Sequence, residues 1–301
     1  GAGYIGVEAA EVFAKAGKHV TLIDVLPRAL QLYLDEEFTD TLTQTMREHG
    51  IYPAMGQGVK QFTGTDGQVS GVETDAGTYP ADLVIISAGI KPATNWLKGV
   101  VDLDTRGLID VDAHQQTSVP DVYAVGDATL VPFAPTDGMA RIALATVARR
   151  QGRTAAKNIL GQPMTMPAVS GASALSVFDY HFASTGLKEG TADQFGVKTQ
   201  SIFVTDTVRP QFVPDAAGNA KVAFKLTYDP ATKRVLGAQI MSTRDVTANI
   251  NAISLAVQGK MTLDDLAYAD FFFQPGFDRP WNIINVATQA ALLGKTTTEA
   301  E

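Results

Sequence analysis

Val7, Ala10, Val12, Phe13 and Ala16 stand among strong helix formers, a spacing that predicts a helix over residues 7–17 closed by Gly17. The period then shortens. His19-Val20-Thr21-Leu22-Ile23-Asp24 reads as a short buried strand ending in an acid. Residues 35–49 predict a second helix, from the acidic first turn Asp35-Glu36-Glu37 to Gly50. Two strands near 59–63 and 68–74 read as a hairpin around Asp66-Gly67. The run over 81–89 is nearly continuously apolar, the pattern of a strand buried on both faces.

From about residue 95 the character changes. Residues 107–109 and 121–125 predict short strands leading into a long helix over 141–160, which Gly161 ends, and Pro163 and Pro167 mark a boundary. Beyond it, strands at 175–179, 200–206, 221–228 and 234–241 alternate apolar and polar residues, and residues 229–233 turn one into the next. Helices at 245–258 and 262–267 precede an aromatic segment, a last helix covers 282–293, and the polar tail from Thr296 is expected to be mobile.

With 301 residues, 45% of them apolar and 19% charged, the chain is long enough for about two domains with substantial cores. A net charge of −8 repels phosphate at long range and argues against nucleic-acid and anionic-membrane partners. No apolar run approaches the roughly 20 residues that span a bilayer, and no signal segment is visible, so a soluble, cytoplasmic protein is expected. The absence of cysteine excludes disulfides, thiolate metal sites and thiol catalysis within these residues. His19, His49, His114 and His181 lie far apart and show no metal-ligand spacing.

Four segments carry candidate chemistry. Gly1-Ala2-Gly3-Tyr4-Ile5-Gly6 has the spacing of a dinucleotide-binding turn, in which a strand closes onto a helix whose N–H groups receive a pyrophosphate. Its strand would have to come from residues before position 1. An ordinary glycine-rich loop is the rival reading, but Asp24 closes the following strand where an acid accepts hydrogen bonds from an adenosine ribose. That acid repels a 2′-phosphate and favours NADH over NADPH. Arg28 would blur the preference unless it is a solvated surface side chain. The second segment, residues 117–128, delivers Gly126 and then Asp127 at a strand end. Asp127 either accepts from a sugar-alcohol chain or caps a turn. The third is the helix start near Ile142–Thr146, whose free N–H groups suit partial negative charge, although close packing explains an alanine-rich helix equally well. Arg149 and Arg150 follow one turn on, one facing the ligand and the other solvent. The fourth, residues 268–282, sets five aromatics from Phe271 to Trp281 between prolines and reads as a rigid loop at a subunit or domain interface, with Asp278 and Arg279 as a local ion pair.

In this order the four segments resemble the pyridine-nucleotide–disulfide oxidoreductase superfamily of two-dinucleotide flavoproteins, and within it the branch of NADH peroxidases and water-forming NADH oxidases. The marks are GAGYIGVEAAEVFAKAGK, TSVPDVYAVGDATL, VFDYHFAST and LAYADFFFQPGFDRPWNIIN; coenzyme A-disulfide reductases look different in the last. The resemblance implies an α/β Rossmann-like NAD(H)-binding domain over 1–94 with its first strand missing, the C-terminal part of an FAD-binding domain over 95–166, an α+β dimerisation domain over 167–294, and a polar tail over 295–301. It places NADH pyrophosphate on Gly1, Gly3 and Gly6, with Tyr4 as a movable ring over the flavin and Ile5 and Glu8 beside the carboxamide. Asp24 would bind the adenosine ribose, Tyr33 would lie near the adenine side, and Gly89 would approach the nicotinamide. Asp127 would hold the ribityl chain of FAD, Leu144 and Ala145 would contact the flavin pyrimidine, Arg149 would support the peroxide site, and the 271–281 loop would meet a partner's active site. Val147 and Gly276 depart from the family pattern, which has an asparagine and a bulkier residue there.

In the family, a cysteine that cycles between thiolate and sulfenic acid and a nearby histidine both lie in the N-terminal half. The chain is therefore expected to be a C-terminal fragment, inactive alone, of an FAD-dependent enzyme that reduces hydrogen peroxide with NADH. The water-forming oxidase, with oxygen as substrate, is the alternative, and a non-catalytic NADH-binding or dimerisation module is the alternative of another class. A homodimer or homotetramer is expected.

Overall fold

The computed structural model describes residues 1–299. Its first unit runs α1 (Tyr4–Lys15), β1 (Val20–Asp24), α2 (Glu36–Glu48) and β2 (Ile51–Met55), with β1 and β2 parallel, Val20 opposite Ile51 and Asp24 opposite Met55. The first helix begins at Tyr4, three residues ahead of its apolar pattern, because Gly3 serves as its N-cap. Antiparallel strands β3 (Val59–Thr65), β4 (Gln68–Thr74) and β5 (Thr78–Pro80) follow. The β3–β4 hairpin turns where expected, through Asp66 and Gly67, both at positive φ.

The expected strand over 81–89 is not formed. The segment has no regular secondary structure and pairs with no strand among the described residues, and Leu83, Ile85 and Ile86 are 63%, 48% and 71% exposed. The reason lies at Gly1. Its amino group donates to the Ile23 carbonyl at 2.8 Å and its carbonyl accepts the Ser87 hydroxyl at 2.8 Å, so Gly1 lies between β1 and this segment and the two do not pair directly. An apolar pattern predicts burial, but a ladder needs a neighbour.

Residues 107–109 and 121–125 are likewise reduced to isolated bridges, Leu103 with Ile109, Ile109 with Thr129 and Gln116 with Tyr123. An unexpected hairpin, β6 (Val131–Phe133) with β7 (Gly138–Ala140), leads to α3 (Ala145–Ile159), which starts later than 141.

The last part contains β8 (Ser173–Val177), β9 (Tyr180–Gly186), α4 (Glu189–Ala192), β10 (Gln200–Thr207), β11 (Lys221–Tyr228), β12 (Val235–Ser242), α5 (Asn249–Gln258), α6 (Leu263–Ala267), α7 (Ile283–Leu292) and β13 (Thr297–Glu299). Six strands form one sheet in the order β13-β10-β11-β12-β9-β8. The tail thus departs from the expectation of mobility, since Thr297–Glu299 pairs in parallel with residues 203–205.

The central strand β12 also departs from alternation, being buried at every position. One face of the sheet packs Phe224, Leu226 and Ile240 against Ile250 and Ile253 of α5 and Ile284 and Ala287 of α7. The other presents Val177, Phe182 and Met241 to Val7 of α1 and to Phe38, Leu42 and Met46 of α2. Two covered faces leave no solvent side for polar residues. No helix among the described residues is long and apolar enough to cross a membrane.

Candidate nucleotide-binding site

The glycine turn is built from three different local demands. A Cβ on Gly1 would stand 2.2 Å from the Ser87 carbonyl oxygen, and one on Gly6 would stand 1.9 Å from the Gly1 oxygen. Backbone already fills both places. A Cβ on Gly3 would meet nothing nearer than the Tyr33 ring at 3.6 Å. The outer glycines therefore let segment 81–89, the turn and α1 close on one another, while the middle one leaves open surface. No side chain caps α1, and the Val7 N–H is the first to close on a turn carbonyl, Gly3 O at 3.0 Å. The N–H groups of residues 4–6 are left pointing out of the helix start, an arrangement that receives anions.

Asp24 reaches this turn. Its Oδ2 accepts the Ala2 N–H at 2.5 Å and its Oδ1 accepts the Leu26 N–H at 2.8 Å. The loop after β1 returns to the same place, with Leu30 N–H donating to Ala2 O at 2.9 Å. Tyr33 then stacks on Tyr4, with centroids 4.1 Å apart and planes at 21°. The Tyr4 hydroxyl meets Ser173 Oγ of β8 at 2.9 Å. Burial raises the Tyr4 pKa above the ordinary phenol value, partly offset by hydrogen bonds to Ser173 and Ser184. Ile5 and Glu8 are exposed on α1. Gly89 sits at φ +91° with open space where a Cβ would stand.

A second group gathers around α3. Gly126, at φ +86°, donates its N–H to Gln151 Oε1 at 2.8 Å, and Gln151 Nε2 donates to Thr129 Oγ1 at 2.7 Å. Buried Gln151 thus clamps the turn bearing exposed Asp127 onto the helix. Leu144 is the N-cap of α3 and Ala145 its first residue, with no side-chain cap. Arg149 and Arg150 are both exposed, and Arg150 donates to Thr146 O at 2.8 Å. Arg141 Nη1 donates to Ile90 O at 3.2 Å and ties this group to the segment ending at Gly89.

The structure also holds residues that sequence reasoning missed. Lys225 Nζ meets Glu37 Oε1 at 2.7 Å, Glu189 Oε2 at 2.7 Å and Asp35 Oδ2 at 3.3 Å, where α2, α4 and the sheet join. Burial works against the lysine charge, but the bonds to Glu189 and Glu37 and the nearby Asp35 outweigh it and hold its pKa above the ordinary value. A lysine between Phe224 and Leu226 in a buried strand was the available signal. Burial pushes the Lys188 pKa down, and Asp35 only partly offsets it.

The expected Asp278–Arg279 pair is replaced. Arg279 pairs with buried Asp206 of β10, whereas Asp278 accepts from Asn282 Nδ2 at 2.7 Å and from the Arg279 N–H at 2.8 Å. Asp206 lies far away in sequence, so spacing could not find it. Of the aromatic loop, Phe271 packs on the core while Phe272, Phe273, Phe277 and Trp281 remain exposed.

The sequence profile described as pyridine nucleotide-disulphide oxidoreductase matches residues 1–152, and that of the dimerisation domain of the same proteins matches residues 172–283. The chain belongs to the pyridine nucleotide-disulphide oxidoreductase family. It is 42% identical over 293 residues to an NADH oxidase of Enterococcus faecalis, covering 97% of this chain and 65% of that protein. To an NADH oxidase of Streptococcus pyogenes it is 39% identical over 291 residues, covering 97% and 63%. The solved structure of the water-forming NADH oxidase from Lactobacillus brevis, bound to NADH, superposes with a TM-score of 0.93 at 39% identity, covering 98% of this chain and 64% of that one. The chain thus spans just under two-thirds of the length of these family members.

Proposed function

We propose that this chain carries the NADH-binding and part of the flavin-facing machinery of an FAD-dependent NADH oxidase that reduces oxygen to water. The observation that carries the reading is the turn itself, a backbone cradle at a helix start with the Asp24 carboxylate bonded to its second residue. The oxidase names of the relatives move oxygen ahead of the peroxide first expected as substrate. The division into an NADH-binding part over 1–94, a flavin-binding part over 95–166 and a dimerisation part over 167–294 belongs to the same proposal.

In this reading Gly1, Gly3 and Gly6 let the pyrophosphate approach backbone, and the N–H groups at the start of α1 neutralise its charge. Asp24 accepts from the adenosine ribose, with Tyr33 near the adenine side. Tyr4 moves aside for the nicotinamide, which Ile5, Glu8 and Gly89 surround. Asp127, on its clamped turn, holds the ribityl chain, and the backbone at Leu144 and Ala145 faces the pyrimidine edge, where the helix dipole favours negative charge. Arg149 supports the oxygen-reducing side. The flavin supplies acceptance of a hydride and release of electrons to the final acceptor. The overall balance consumes two NADH, two protons and one oxygen molecule and yields two NAD and two water molecules. The redox thiol of this chemistry is not among these 301 residues, which contain no cysteine.

The test is NADH consumption by the intact protein. Rapid aerobic consumption without added peroxide, and without peroxide accumulating, supports the oxidase. Anaerobic consumption that starts only on adding peroxide overturns it in favour of the peroxidase. No consumption under either condition, with NADH still bound, points to a non-catalytic binding module.

A further inference from the structure

We infer that Glu36 and Asp40 act as a lock on Arg28 that keeps this site selective for NADH, an inference that rests on the NADH reading above. Arg28 sits four residues beyond Asp24, in the loop that folds back onto the glycine turn at Leu30 and Tyr33. An arginine so close to a ribose-binding acid is the side chain that would greet a 2′-phosphate. In this structure Arg28 is bonded to α2. Its two terminal nitrogens are taken by two carboxylates one helical turn apart on α2, Nη1 by Asp40 and Nη2 by Glu36 Oε2 at 3.2 Å.

The arrangement discriminates in two ways. Reaching a phosphate would require Arg28 to release both carboxylates together, since its fork engages them simultaneously. It would also leave two uncompensated negative charges beside the arriving dianion, in addition to Asp24. NADH, with a neutral 2′-hydroxyl, meets neither obstacle. Asp24 alone sets a preference. The lock withholds the Arg28 cation, which would erode it.

The experiment is titration of NADH and NADPH into the intact protein, followed by nicotinamide fluorescence, for the unaltered protein, the pair Glu36→Gln with Asp40→Asn, and that pair combined with Arg28→Gln. Both acids are surface side chains, 69% and 67% exposed, so folding is unaffected and NADH affinity serves as the internal control. The expected result is NADPH binding about tenfold tighter in the double variant, NADH affinity within about twofold, and loss of the gain when Arg28 is also replaced. Unchanged NADPH affinity overturns the lock, as does a gain that survives Arg28→Gln, because that gain would come from net charge alone. Equal tightening for both nucleotides overturns it too. If NADH fails to bind the unaltered protein, the nucleotide reading falls and the lock with it; NADH binding with no NADPH response removes the lock only.

Discussion

Asp35 and Gln239 exchange two hydrogen bonds across 204 residues of sequence, Asp35 N–H to Gln239 Oε1 at 2.6 Å and Gln239 Nε2 to Asp35 Oδ2 at 2.7 Å. The same carboxylate accepts the N–H groups of Glu189 and Gly190 at the start of α4 and lies 3.3 Å from Lys225 Nζ. Residues of the first unit and of the six-stranded sheet thus share one buried polar junction, which fixes α2, and through it the loop after β1, relative to the sheet.

Removing the cation of this junction takes from Asp35, Glu37 and Glu189 the ammonium group they share. Lys225→Met is expected to destabilise the protein by about 3–5 kcal/mol, the range for breaking one partner out of a buried ion cluster. Urea midpoints at constant m-value measure it. The pH dependence has a definite sign. The folded pKa of Lys225 lies above its unfolded value, so its contribution is complete below about pH 10.4 and is lost as pH rises through the folded value. The stability gap between unaltered protein and Lys225→Met should therefore be flat through neutrality and close only above about pH 10.4.

The glycines of the turn should separate by consequence. Gly6→Ala drives a Cβ into the Gly1 carbonyl and is expected to cost at least about 3 kcal/mol, because backbone cannot yield as a side chain can. Gly3→Ala meets no backbone, and stability should stay within about 0.5 kcal/mol. Its effect should instead fall on nucleotide binding, a loss of about tenfold in NADH affinity, or about 1.4 kcal/mol. Thermal melting and NADH titration on the same two variants distinguish them.

Tyr4 and Ser173 join α1 to β8 through one hydroxyl contact at 2.9 Å. Tyr4→Phe and Ser173→Ala should each cost about 1 kcal/mol, and the double variant little more than either, giving a coupling near 1 kcal/mol in a double-mutant cycle. Ultraviolet titration should find the Tyr4 phenol ionising above the ordinary tyrosine range.

Arg279 holds the aromatic loop to the sheet by its pair with Asp206, whose side chain is 2% exposed. Arg279→Met is expected to cost about 3–5 kcal/mol by stranding that carboxylate, and adding Asp206→Leu should recover most of it. Denaturation of the single and double variants reads the difference.

Local signals were enough for much of the molecule. The helical period of α1 and α2, the Asp-Gly turn of the β3–β4 hairpin and the spacing from Gly6 to Asp24 are written within short windows, because backbone geometry and apolar periodicity act over a few residues. Those windows were sufficient to place the glycine turn beside Asp24. Long-range contacts lay beyond them. Whether the run over 81–89 becomes a strand depends on a neighbour, whether β12 alternates depends on what covers its second face, and whether Thr297–Glu299 is a tail or an edge strand depends on residues 203–205. The partners of Lys225, Gln151, Arg28 and Arg279 were likewise decided only by chain crossings, since charge and hydrogen-bonding capacity are properties of a residue but pairing is a property of the packed fold.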